Sequence, residues 1–375
     1  MSNAAFRRAP ALVATLAAAT LWLGAAAPAV EPAAPAAAKA PASLEDQLKV
    51  LSSALVESFN TGDWEMLELV ADGVKAAGLK GPDLEVFALT SERDAALGTG
   101  AGMGMWPDRN RILVWGLAFR AKLGSAQALT SLREKSQVKL TPVEYPKAGA
   151  GGVLNQEEYK AWSKYQAELG ARNTALLALA LLGEKDAGTT AWDIFQKSDA
   201  GGTMWGGMGP SPLVMAVLAA EGAAGWKQLS DYCSTPEGEK DEFGRRVSVL
   251  SSLASLANVD RPGNRSQVFR VEGKLAKTLP ADAAATLRAS FIKLAEKVPQ
   301  GDSPNFSILF AAQSLPGLPD DAAALAALKG LKGRATGRSA GHWDKMIDRI
   351  INPPTAKAPA ATTPGVGPGP QKETF

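Results

Sequence analysis

Apolar positions along the chain recur at helical rather than strand spacing. Leu44, Leu48, Leu51, Leu55 and Phe59 follow one another at 4, 3, 4 and 4 residues, which places them on one face of a helix. Ser43 and Asp46 form a capping-box start ahead of that face. Asp63 can cap a second helix with Leu67, Val70 and Val74 on its stripe, and Gly78 fits the position that stops it. Pro280, at a first-turn position, opens a helix over 281–298 lined by Leu287, Phe291, Leu294 and Val298. No stretch sustains the alternation of β-branched and polar residues that marks a half-buried strand. The pattern predicts an all-α fold.

Five segments share one form: a loop, a cap, then a short and very apolar helix ending near Gly or Asn. They are 108–124, 171–183, 211–222, 244–258 and 303–317. Ser211-Pro212 and Ser303-Pro304 each pair an N-cap residue with proline at the first helical position. More amphipathic partners follow at 126–135, 187–197, 223–233, 266–279 and 320–332. With 43–78, this makes about six helical hairpins. A helix apolar all round, such as Thr174–Leu182, must be covered on every side, whereas a one-striped helix can lie outside it. An inner and an outer row satisfy both, either as an open HEAT-like solenoid or as a closed α/α toroid.

The segment 191–222 carries Gln196, Gly201-Gly202, Trp205, Gly206-Gly207 and Ser211 in order. It resembles the repeat of the terpenoid cyclase/prenyltransferase-like α/α toroids, in which an outer helix ends near a Gln and a Gly-Gly-aromatic-Gly loop leads into an inner helix. The 98–124 repeat shares part of this form. The resemblance implies a toroid, but the family's Asp-x-Asp-Asp acid motif is absent. Asp320-Asp321 is the one Asp-Asp pair, and it fits a helix cap better. The Cys/His/Asp zinc set of the protein prenyltransferases is absent too, so the family's catalytic apparatus does not carry over.

Composition adds an address. Arg7 and Arg8, the apolar run 11–24 and A-x-A-like sites after it read as a secretory signal over 1–29, cut after Ala29. An uncut signal would leave an N-terminal membrane anchor. Residues 30–42 are an Ala/Pro linker, 43–351 the helical-repeat domain, and 352–375 a Pro/Ala/Gly tail expected to lack a packed core. Removing the signal leaves 38 basic against 38 acidic residues. That neutrality argues against a nucleic-acid partner, which calls for a basic excess.

Chemistry-bearing residues are few. One Cys (Cys233) and one His (His342) exclude a disulfide framework and Cys- or His-rich metal sites. No nucleophile-elbow, phosphate-loop or zincin motif occurs. Two loops stand out, 98–107 and 200–210, each combining Gly, Met and Trp. Met103, Met105, Trp106, Met204, Trp205 and Met208 offer apolar faces for a lipid, a sugar ring or a protein side chain, and Arg109 and Arg111 can meet an anion at a helix N-terminus. Thioethers also suit Cu(I), which makes a metal carrier one alternative. Asp94, Asp108 and Glu144 lie near the first loop and Asp199 near the second, and a pair of them would be needed for an enzyme acting on a glycan or isoprenoid-like lipid. The reading that fits best is an exported, periplasmic or secreted helical-repeat protein without catalysis, cofactor or resident metal. It would bind a protein, glycan or lipid ligand of the cell envelope.

Overall fold

Short connections between apolar helices fold this sequence into antiparallel hairpins. The computed structural model describes residues 43–98, 109–146, 154–197, 211–235, 240–258, 271–302 and 304–352. Of these residues 77% are helical and none lies in a strand; Gly301 and Ala335 form an isolated bridge. The chain divides after Ser43, and the description below concerns the unit that starts at Leu44.

In chain order the helices are α1 (Leu44–Thr61), α2 (Trp64–Ala76), α3 (Gly81–Gly98), α4 (Arg109–Lys122), α5 (Ala126–Ser136), α6 (Gln156–Leu181), α7 (Asp186–Lys197) and α8 (Pro212–Glu221). They continue with α9 (Ala223–Ser234), α10 (Lys240–Ala257), α11 (Val271–Ala276), α12 (Ala283–Glu296), α13 (Ser307–Ser314), α14 (Ala322–Lys329), a 3₁₀ turn (Gly337–Ser339) and α15 (Ala340–Ile351).

The local signals largely hold. Leu51, Leu55 and Phe59 are buried in α1, but Leu44 at its start is exposed, since the first turn projects past its neighbours. Asp63 caps α2 by accepting from the Met66 N–H, and Gly78 follows with φ 77°, a conformation open to glycine at no steric cost. Ser211-Pro212 opens α8, although the Ser211 side chain does not cap it; its backbone N–H instead donates to Ser252 Oγ at 2.9 Å. Asp321 caps α14 through the amides of Ala323 and Ala324. Two proline signals sit too early. Pro280 lies before Asp282, the N-cap of α12, and Pro304 precedes Phe306, the N-cap of α13. In both places extra turn residues intervene before regular helix begins; Ser303 itself lies outside the described residues.

The largest departure concerns α6. The segment expected as a short helix from 171 is the C-terminal half of a 26-residue helix capped by Asn155. Thr174 to Ala180 are all buried, the all-round burial their composition demands. No residue from Gln156 to Gly170 is buried. The neighbours explain this: α4, α5, α7 and α8 have 14, 11, 12 and 10 residues, too short to flank 26.

One set of helices packs in series. α4 packs on α6, α6 on α8, α8 on α10 and α10 on α13, while α5, α7, α9 and α12 each pair with neighbours in the same array. The short α11 touches both α8 and α2, and α2 touches α4. Helices α2, α4, α6, α8 and α11 therefore form a closed circuit of packed neighbours. Ion pairs seal the α2–α11 step across more than two hundred residues of sequence. Lys274 Nζ lies 2.9 Å from Glu68 Oε1 and 3.0 Å from Oε2, and Lys277 Nζ lies 2.6 Å from Glu65 Oε1. Lys122 of α4 adds a third lysine, 2.8 Å from Glu68 Oε1. The pairing order, 274 with 68 and 277 with 65, makes α11 antiparallel to α2.

Candidate functional site

Of the residues singled out in sequence, Met103, Met105, Trp106, Met204, Trp205 and Met208 lie outside the described residues, as do Asp108 and Asp199. Arg109 and Arg111 begin α4. Arg109 is exposed; Arg111 is half-buried and donates through Nη2 to the Asn60 carbonyl at the end of α1, at 3.4 Å. One turn further along α4, Trp115 meets Trp64 with ring centroids 5.9 Å apart, and Lys122 Nζ stands 6.0 Å from the centre of the Trp64 ring. Both indoles are fully buried. Their Nε1 donors and Asn60 Oδ1 have no hydrogen-bond partner among the described residues.

The electrostatics beside it are structural. Burial by itself raises the Glu68 carboxyl, but hydrogen bonds and charge from Lys122 and Lys274 outweigh it and hold the group below its ordinary value. Burial raises Glu92 of α3, opposed by Arg120 and reinforced by Glu85. Gly116 makes room for this acid, because a Cβ there would sit 2.3 Å from Glu92 Oε2. Asp94 pairs with its neighbour Arg93 on the surface, and Glu144 is exposed.

A second cluster stands on α7, α9 and α10, next in sequence to the 200–210 loop. Trp192 stacks on Phe195 at 5.7 Å and meets Tyr232 edge-on at 5.0 Å. The Arg246 guanidinium lies 5.2 Å over the Tyr232 ring and donates through Nη2 to Glu242 Oε2 at 2.9 Å. Arg246 is only 7% exposed, and its Nε and Nη1 have no hydrogen-bond partner among the described residues. A guanidinium cannot shed its charge, so three N–H donors remain uncommitted in a shielded place. Cys233 is buried beside this cluster. Burial pushes its thiol up to about 12, which keeps it protonated and unreactive at neutral pH. His342 is exposed at the start of α15, its ring 5.7 Å from Phe306; Asp344 accepts from the Gly333 amide.

The third cluster was not singled out in sequence. On the exposed half of α6, Tyr159 and Trp162 stand one turn apart with ring centroids separated by 5.8 Å. Tyr145, on the non-helical stretch after α5, meets Trp162 edge-on at 4.9 Å. Tyr145 is 39% and Tyr159 44% exposed, with Trp162 half-buried between them. The signal that could have revealed this helix is its cap: Asn155 accepts from the amides of Glu157 and Glu158, and both acids favour the positive end of the helix dipole.

Among the described residues, no group of three or more His, Cys, Asp or Glu side chains stands together as a metal site, and no helix is long and apolar enough to cross a membrane. No family model matches the chain, and no curated protein or solved structure matches it.

Proposed function

We propose that this chain is an exported helical-repeat protein of the cell envelope that binds a protein partner and performs no catalysis. The observation that carries the reading is the N-terminal half of α6. It places no fully buried residue in the core, yet it holds a cluster of Tyr and Trp whose flat faces are half-open to solvent. Such rings supply large contact area at little cost in side-chain entropy, which is why they concentrate at binding surfaces. Support for binding over catalysis comes from the reactive groups: the thiol is buried and protonated, and the half-buried carboxylates Glu68 and Glu92 are tied to Lys and Arg.

The test compares the full-length chain with Trp162→Ala for retention of envelope proteins. The expected result is one partner retained by the parent chain and lost by the variant, with unchanged melting. Equal retention by both contradicts the reading. Export is tested separately by N-terminal sequencing of the chain from the envelope fraction, where a start at Val30 is expected.

A second reading, a carrier of a small anionic ligand, rests on Arg246. Its uncommitted donors and the Tyr232 and Trp192 rings beside them suit an oxyanion attached to an apolar body. Benzoate that raises the melting temperature of the parent chain but not of Arg246→Gln would support it. No shift in either would remove it.

A further inference from the structure

The aromatic cluster on α6 has a geometry that favours one kind of occupant. Tyr159 and Trp162 are tilted by 34° and Tyr145 stands at 89° to Trp162, so the rings form ridges rather than a flat sheet. Ridges of Tyr and Trp with slots between them suit an extended proline-rich strand. Such a strand brings residues separated by multiples of three onto one face, is pre-ordered before it docks, and leaves its carbonyls free for donors such as an indole N–H.

The chain carries proline-rich sequence after α15, in which Pro353 and Pro359, and Pro364 and Pro370, are each six residues apart, two turns of a polyproline helix. Residues 353–375 contain six prolines, at 353, 354, 359, 364, 368 and 370, and follow directly from α15. We propose that the proline-rich tail 353–375 docks on the Tyr145–Tyr159–Trp162 cluster of the same molecule. This rests on the reading of that surface as a partner site and names the occupant it holds when no partner is bound.

Reach and concentration both favour the tail. In an extended polyproline conformation 23 residues span ~70 Å, whereas a folded unit of ~300 residues has a radius of gyration of only ~19 Å. Every face of the unit is therefore within range of Asn352. A tethered segment presents itself at an effective concentration on the order of a millimolar, so even a weak contact between rings and prolines is populated. A free partner must match that concentration or bind more tightly.

Trypsin provides the test, because Lys357 and Lys372 lie within the tail. The rates of cleavage at these two sites are measured in the intact chain, in Trp162→Ala and in the conservative Trp162→Phe, with melting followed in each. The expected result is that Trp162→Ala speeds tail cleavage by about tenfold without lowering the melting temperature. Trp162→Phe should lie between the two. Added decaproline should speed cleavage of the parent chain by competing for the rings.

Other outcomes overturn the proposal in distinguishable ways. If the tail is cut equally fast in the parent and Trp162→Ala, yet decaproline still changes the fluorescence of the parent alone, the surface takes proline-rich segments but the tail is not its occupant. If protection fades on dilution, the occupant is the tail of a second copy. If decaproline has no effect and the cleavage rates agree, both the tail proposal and the partner surface fall.

Discussion

Helix α6 contains two regions that obey different rules. From Thr174 to Ala180 every residue is buried and the sequence is Ala and Leu after a single Thr; from Gln156 to Gly170 none is buried and the sequence is mostly polar with interspersed aromatics. The backbone is one continuous helix through both. The difference comes from the neighbours, which run out after 10 to 14 residues. Burial therefore dictates composition only where a neighbour exists. Where the described neighbours end, the Tyr and Trp residues are not accounted for by the core, which is the ground for the binding surface proposed above.

The same substitution placed in each half should break this comparison most visibly if it is wrong. Ala178→Asp puts an unpaired carboxylate among Leu and Ala at a site with no exposure, and it should prevent folding or cost on the order of 4 kcal/mol or more. Ala161→Asp, on the exposed half, should change stability by less than ~0.5 kcal/mol. Circular dichroism melting of both variants checks the pair. Next in size, Leu177→Ala removes a fully buried side chain and should cost about 3 kcal/mol, read from denaturant unfolding.

A smaller effect should come from the ion pairs that close the circuit around the buried half. Lys122 and Lys274 hold the Glu68 carboxyl below its ordinary value, so the folded state binds that proton less readily than the unfolded chain. Its contribution is complete above the ordinary carboxylate value of ~4.3 and is lost as pH falls through the lowered folded value. Glu68→Gln should cost about 1 kcal/mol at neutral pH and flatten that acid limb, an effect seen in unfolding series from pH 7 to 3. Added salt should shrink the difference at neutral pH. Trp162→Ala should also change stability little, within ~1 kcal/mol, because its half-buried ring packs against the exposed rings of Tyr145 and Tyr159. Its effect on binding should be the largest of the set.

How much of this was legible in sequence follows from the same contrast. The buried half of α6, α8 with its proline start, and the stripe of Leu287, Phe291 and Leu294 all announce themselves, because burial writes periodic apolar residues into the chain. Residues 156–170 are assigned to no helix from sequence, although Tyr159, Trp162, Tyr165 and Leu169 recur at helical spacing and Asn155, Glu157 and Glu158 mark a helix start. Helix α3 is similarly faint, with Val86, Leu89 and Leu97 left exposed. The α2–α11 closure is invisible in sequence: a Lys and a Glu 206 residues apart carry no sign of each other. Nor does anything in the sequence mark Arg246 for burial against Tyr232. The Gly-Met-Trp loops drew attention by composition, and the described clusters stand on helices next to them in sequence or, for the Tyr–Trp set, elsewhere.

Amide hydrogen exchange along α6 tests the central claim most directly. In the free chain, amides from 171 to 181 should exchange only with global unfolding, while those from 160 to 170 should exchange orders of magnitude faster, with the step falling near Gly170. Uniform slow exchange from 160 to 181 would mean that the first half of α6 is covered by the folded protein, and the account of it as an open binding surface would be wrong.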